Sequence, residues 1–181
     1  MTLMDLLTAA LEELERPTDQ ATVSLWKPRL TAYANEAIAD LTNTFRPWRR
    51  EVVSLQNGMF STLNLSYSCS KVLGVEKAGI RLPFYYGDST ETVCLSTVTD
   101  GTVTVVYRYC PRELQNFEDV PELPIVCHHM IVLYMVARDR SHGDASAQSG
   151  SNLRFSLYEM RKQKLRLDFD EPCGFRIYNT Y

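Results

Sequence analysis

The stretch Val120 to Arg140, VPELPIVCHHMIVLYMVARDR, constrains this chain more than any other. From Ile125 to Ala137 nearly every residue is apolar, and no polar face recurs at helical spacing. A helix without a polar face has to be covered by neighbours on every side. The run is too short to cross a bilayer, which takes about 20 apolar residues. It therefore predicts a central helix over 124–141, with Pro124 at its first position and Arg138 and Arg140 in its last turn, where cations complement the dipole. His128 and His129 read as polar contacts within it. Adjacent helical residues point about 100° apart, so the pair does not suit a shared metal ion. His142 and Asp144, beyond the helix end, are two donors short of a metal site.

The remainder of the chain has to supply the cover. A first helix is expected over 2–15, capped by Thr2 with Asp5 at the capping-box spacing. Leu3, Leu7, Ala10, Leu11 and Leu14 share one face, and Pro17 stops it. Thr18 to Trp26 reads as a connection. A second helix is expected over 28–45, with Pro28 in its first turn and an apolar stripe of Leu30, Tyr33, Ala34, Ala37, Ile38, Leu41 and Phe45. Trp26, Tyr33, Leu41 and Tyr134 are the candidate contacts to the core or to a neighbouring subunit. Glu36 and Asp40, one turn apart, read as a solvated acidic face rather than a cation site. Asp144 to Gly150 is small and polar, a turn or loop, and a fourth helix follows over 151–167. Its Arg154, Arg161, Lys162 and Lys164 are explained mostly by the helix dipole and solubility, and secondarily as a DNA-facing basic surface.

Between the helical regions the pattern changes to period two, over 49–110. Asn57-Gly58 separates two β-prone runs, 51–56 and 59–65, a strong hairpin signal. Lys71 to Glu76 reads as a strand, and Ile80 to Tyr86 as another with Pro83 at an edge or break. Thr92 to Thr97 and Thr102 to Tyr109, joined through Asp100-Gly101, predict a second hairpin. In the last strand Val103, Val105, Tyr107 and Tyr109 alternate with wetter positions. About six strands, mostly antiparallel, are expected. The fold class is α+β: a four-helix core, an inserted β region, and an extended C-terminal arm.

That arm, 168–181, reads DFDEPCGFRIYNTY. Phe175, Ile177, Tyr178 and Tyr181 would be costly to leave in water, so a docking role is expected for them. A formal net charge of −3 over 181 residues argues against a basic nucleic-acid binder. The five cysteines are widely spaced and form no C-x-x-C pair, which speaks for reduced thiols rather than a disulfide scaffold or zinc site. The first residues lack the basic n-region of a secretory signal. Phosphate loops, dinucleotide fingerprints, H-E-x-x-H and G-x-S-x-G are missing from the sequence, and no catalytic residue, metal or cofactor is expected.

Three stretches resemble the head-to-tail adaptor (connector) proteins of tailed bacteriophages. The first is Trp26-Lys-Pro-Arg-Leu-Thr-Ala-Tyr-Ala-Asn-Glu-Ala37 with Asp40 and Arg46-Pro47. The second is Val103 to Pro111 with Leu114. The third runs from Val120-Pro-Glu-Leu-Pro through Tyr134, Ala137, Arg138 and Asp139 to Asp144 and Phe155. The resemblance implies one adaptor domain over 1–167, assembled into a ring, typically dodecameric, in the neck of a virion. It implies as partners a portal protein, an adjacent neck or tail protein and further copies of itself, with double-stranded DNA passing through the lumen and no membrane. The arm would reach the portal. A tail-completion or stopper protein is the nearest alternative. A small nucleic-acid-binding module using helix 151–167 is the alternative from another class.

Overall fold

The computed structural model describes residues 1–143 and 145–168, without the side chains of 145–147 and 166–168. Phe175, Ile177, Tyr178 and Tyr181 of the expected arm, and Asp144, lie outside the described residues. The chain is mixed α/β, with four helices and antiparallel sheets.

Helix α1, Leu3–Glu13, opens with the expected capping box. Thr2 Oγ1 accepts from Asp5 N–H at 3.2 Å, and Asp5 Oδ2 accepts from Thr2 N–H at 2.8 Å. The N–H groups of Leu3 and Met4 donate to the carbonyls of Asp119 and Phe117. The connection after the β region thus satisfies donors that a helix start leaves open. Leu3, Leu6, Leu7, Ala10 and Leu11 are fully buried.

Helix α2, Gln20–Phe45, begins well before Pro28, so the expected connection 18–26 is largely helical. The reason is Asp19. Its Oδ1 accepts from Ala21 N–H and Thr22 N–H at 3.0 and 3.1 Å, and its Oδ2 accepts from the Thr22 hydroxyl at 2.7 Å. That cap, with Val23 buried in the core, outweighs an internal proline unable to donate to the Ser24 carbonyl. The expected stripe is buried at Leu30, Ala34, Ala37, Ile38, Leu41 and Phe45.

Helix α3, Ile125–Arg140, is the central apolar segment, with Pro124 as its N-cap rather than its first residue. It is covered over most of its length, but not on every side: Ile125, Val126 and His129 are exposed. Helix α4, Ala145–Asp168, starts earlier than expected and absorbs most of the supposed loop 144–150. Ser151 is buried there, its hydroxyl donating to the Ala137 carbonyl at 2.7 Å. A Cβ on Gly150 would meet the Arg140 and Arg154 guanidinium groups at 3.6 and 3.7 Å. Gly150 and Ser151 are thus the small residues where α4 sits against the end of α3. One apolar cluster draws on α1, α2 and α3, takes Tyr158 from α4, and is sealed by Leu114 and Leu123 of the connection.

The β region holds seven strands, one more than expected: β1 Trp48–Leu55, β2 Met59–Ser61, β3 Ser68–Lys77, β4 Ile80–Leu82, β5 Phe84–Tyr86, β6 Thr92–Leu95 and β7 Gly101–Cys110. They form two antiparallel sheets, ordered β1-β7-β3-β4 and β2-β6-β5. The two expected hairpins are therefore corrected. At Asn57-Gly58 the turn is present, with both residues at positive φ and Gln56 and Met59 exchanging both backbone hydrogen bonds. The ladder stops after that bridge, and β2 joins the other sheet. Thr92–Thr97 and Thr102–Tyr109 do not pair either: β6 pairs with β2 and β5, while β7 pairs with β1 and β3. Pro83, lacking an N–H, stands where the chain changes sheets between β4 and β5. The hairpins that do form are β3–β4, turning through Ala78-Gly79 at positive φ, and β5–β6.

The alternation in β7 holds, with Val103, Val105 and Tyr107 buried in a second core between the sheets. Polar contacts fix the connection after β7 to the helices on one side and to the sheet on the other. Asn35 accepts from Leu114 N–H at 2.9 Å and donates to the Leu114 carbonyl at 3.1 Å, and the Tyr109 hydroxyl donates to the Glu122 carbonyl at 2.9 Å.

Candidate functional site

The densest polar constellation lies where α2, α3 and α4 meet, and the sequence reading did not anticipate it. Asp40 Oδ2 accepts from the Tyr158 hydroxyl at 2.5 Å and from Lys162 Nζ at 2.8 Å. Lys162 also reaches Glu159 at 2.7 Å. One turn earlier on α2, Glu36 accepts from the Tyr134 hydroxyl at 3.3 Å and pairs with Arg138 Nε at 3.3 Å. Arg29 pairs with Asp139 at 2.9 Å and donates to the Tyr33 hydroxyl at 3.1 Å. Glu36 and Asp40 do face solvent, with 44% and 40% of their side-chain surface exposed, but they are not a free acidic face. They are one side of a ladder of ion pairs whose other side comes from α3 and α4.

The aromatic rings between these charges are ordered by the same geometry. Tyr134 meets Phe155 and Tyr158 edge-on, at 5.6 and 5.3 Å between centroids. Tyr158 is buried, and burial together with the Asp40 carboxylate pushes its hydroxyl far above the usual tyrosine range. It stays a proton donor throughout the physiological range. Trp26 lies beneath two cations, Arg16 at 4.3 Å and Arg29 at 5.5 Å. Tyr33 faces the His142 ring, nearly parallel, at 6.5 Å. Chemically the arrangement is a lock: it fixes three helices in register and presents no activated nucleophile.

Of the four residues expected as core or subunit contacts, Trp26, Tyr33 and Tyr134 are half-buried on this seam, while Leu41 is fully buried in the helical core and faces no neighbour. The four basic residues of α4 do not form one DNA-facing surface. Lys162 belongs to the seam, Arg154 pairs with Glu13 of α1 at 3.6 Å, and Arg161 and Lys164 are exposed elsewhere.

Arg161 and Lys164 stand on the rim of a groove of about 760 Å³ running over α3 between α1 and α4. Its walls are mostly apolar, from Ala9, Val126, Met130, Val132, Leu133 and Leu165, with His129 and Glu13 among them. His128, on the other side of the same turn, is buried. Its Nδ1 lies 3.1 Å from the Met1 amine and its Nε2 3.3 Å from the Leu123 carbonyl. Burial, then the adjacent amine, holds it below the usual histidine range, so it sits neutral in the fold. Neither histidine is placed as a metal ligand, and among the described residues no group of three His, Cys, Asp or Glu side chains comes together.

In the β region the sequence reading missed Glu51. It accepts from the Tyr107 hydroxyl at 2.7 Å, the Ser66 hydroxyl at 2.8 Å and the Ser66 N–H at 3.1 Å. Burial works against its charge, but these donors prevail and hold the carboxyl below its ordinary range. A signal was available: Glu51 shares the inward register of β1 with Val53 and Leu55. Nearby, Tyr67 packs on Tyr109 and lies beneath Arg49 at 4.3 Å and Arg112 at 5.7 Å. The four described cysteines are free thiols; Cys127, buried in the helical core, is pushed up to about 12 by burial.

No helix among the described residues is long and apolar enough to cross a membrane. Comparison with protein-family models finds no match, and neither does comparison with curated proteins. The class is therefore stated from the architecture alone: a mixed α/β chain with two antiparallel sheets inserted between two pairs of helices.

Proposed function

We propose that this chain is a structural virion protein, a head-to-tail adaptor whose copies close into a ring between portal and tail. One observation carries the reading. Residues of the first and third stretches that resemble the adaptor family, far apart in sequence, converge on the α2–α3–α4 seam. Glu36 meets Tyr134 and Arg138, and Tyr134 meets Phe155. The second stretch joins the same helices through Leu114, held by Asn35.

On this reading the four helices form the wall of the ring and the two-sheet unit projects from it. The 168–181 arm reaches the portal, with Phe175, Ile177, Tyr178 and Tyr181 as its anchors. Such a ring is heterologous, each subunit presenting one face to a different face of the next. Exposed apolar side chains on both units, such as Trp48, Val52 and Ile80 on strands and Leu25 and Leu153 on helices, supply material for such faces. A net charge of −3 suits a lumen through which DNA slides, since phosphate contacts from Lys and Arg are what hold it. The nucleic-acid module is less supported, because Arg154 and Lys162 are committed to acidic partners.

Negative-stain microscopy tests the reading. Mixed with a portal protein, the protein is expected to add a ring of matching symmetry, and a chain lacking Pro172 to Tyr181 is expected to stay folded but bind no portal. A full-length chain that adds no density to the portal would sink the proposal. A truncated chain that still docks would remove only the arm.

A further inference from the structure

We infer that the groove over α3, between α1 and α4, is the seat of the chain's own residues 169–181 in the free protein. The groove asks for an apolar occupant. Val126 and Leu133 of α3 and Leu165 of α4 line it, and Val126 is 46% exposed. Its rim asks for carboxylates through Arg161 and Lys164; Glu13, the carboxylate among the lining residues, is paired with Arg154. The sequence 169–181 supplies both: Asp170 and Glu171 come first, and Phe175, Ile177 and Tyr178 follow.

The occupant is in cis because of where the chain leaves the last helix. Helices α3 and α4 form an antiparallel hairpin, so Leu165, near the end of α4, lines the same groove as Val126 at the start of α3. The chain passes Asp168 within one turn of the groove wall. From Val126 to Leu133 the α3 axis rises about 10 Å. The 13 residues 169–181, extended, reach about 43 Å. That length covers the groove with residues left for the reversal after Asp168. The proposal concerns the free chain and stands whether or not copies form a ring. Where the same residues dock on a portal, they leave the groove first.

The test uses the full chain and its native Cys173. Val126→Cys and, separately, Arg161→Cys place a thiol on the groove; Leu25→Cys, 77% exposed on α2 and outside the groove, is the control. Equal parts of isotopically light and heavy chain are oxidised at low concentration with oxidised glutathione, and peptides are identified by mass spectrometry. The expected result is an intrachain disulfide from Cys173 to the introduced thiol for both groove variants, in excess over the control. Adding Arg161→Glu and Lys164→Glu to the Val126→Cys chain is expected to lower the yield roughly threefold to tenfold. Mixed light–heavy disulfides would assign the groove to a second copy and overturn the inference. A yield no greater than the control's from both groove variants would overturn it as well.

Discussion

Single residues set how this protein responds to acid. His128 has its folded pKa below the ordinary 6.5, so the unfolded chain binds its proton more readily. Its contribution is present above about pH 6.5 and is lost as pH falls through the lower folded value. Glu51, held below the ordinary 4.5, follows the same sign at lower pH: its contribution is present above about 4.5 and lost as the pH drops through its folded value. Urea midpoints measured between pH 8 and 3 are expected to fall in two stages. His128→Gln should flatten the first and Glu51→Gln the second. Tyr107→Phe removes a hydroxyl that donates to Glu51 from a fully buried ring, and is expected to cost about 1–3 kcal/mol. Leu41→Ala, at a fully buried core position, should cost about 2–5 kcal/mol in the same assay. Leu41 was legible as an apolar stripe residue. Glu51 was legible only as an inward position of β1 and not by its role, because its partners Ser66 and Tyr107 come from other segments.

At the scale of elements, local signals competed and the structure settled which prevailed. Pro28 resembles a helix start, yet Asp19 caps the helix and Pro28 ends up inside it. Pro28→Ala is therefore expected to stabilise α2 by about 1–3 kcal/mol and raise the melting temperature by a few degrees. Asp19→Ala is expected to cost about 1 kcal/mol. Circular dichroism melts of both variants read the sign directly; destabilisation by Pro28→Ala would mean that the proline is needed where it stands. Gly58 has a stricter role. It lies at φ +75°, and an added Cβ would come 3.0 Å from the Leu95 carbonyl oxygen. Its N–H donates to Thr99 and its carbonyl accepts from Leu95. Gly58→Ala should destabilise the crossing between the sheets beyond the ordinary cost of a turn glycine, seen as a lower thermal midpoint.

For the whole molecule, the apolar centre of α3 required cover, and the amphipathic stripes of α1 and α2 were legible as its source. Period two over 49–110 announced antiparallel strands, and Pro17 and Pro124 bounded helices, as Pro28 did not. All of these follow from the sequence by itself, because they rest on contacts between near neighbours along the chain or on the periodicity of one element. What only the tertiary structure decided is which elements meet. The β strands look like two hairpins in sequence but are dealt to two sheets, since pairing energy depends on partners brought together by the fold. Glu36 and Asp40 read as unpartnered surface acids, and they remain partly exposed, but α3 and α4 bring Arg138, Tyr158 and Lys162 against them. The loop-like residues before Ser151 are helix in the fold, continuous with a helix that Ser151 ties to the Ala137 carbonyl of α3. Cover over α3 also proved incomplete at Ile125, Val126 and His129. The demand for an apolar neighbour was written in the sequence; where that demand stays open was set by packing, because only the assembled helices determine which surface water still reaches.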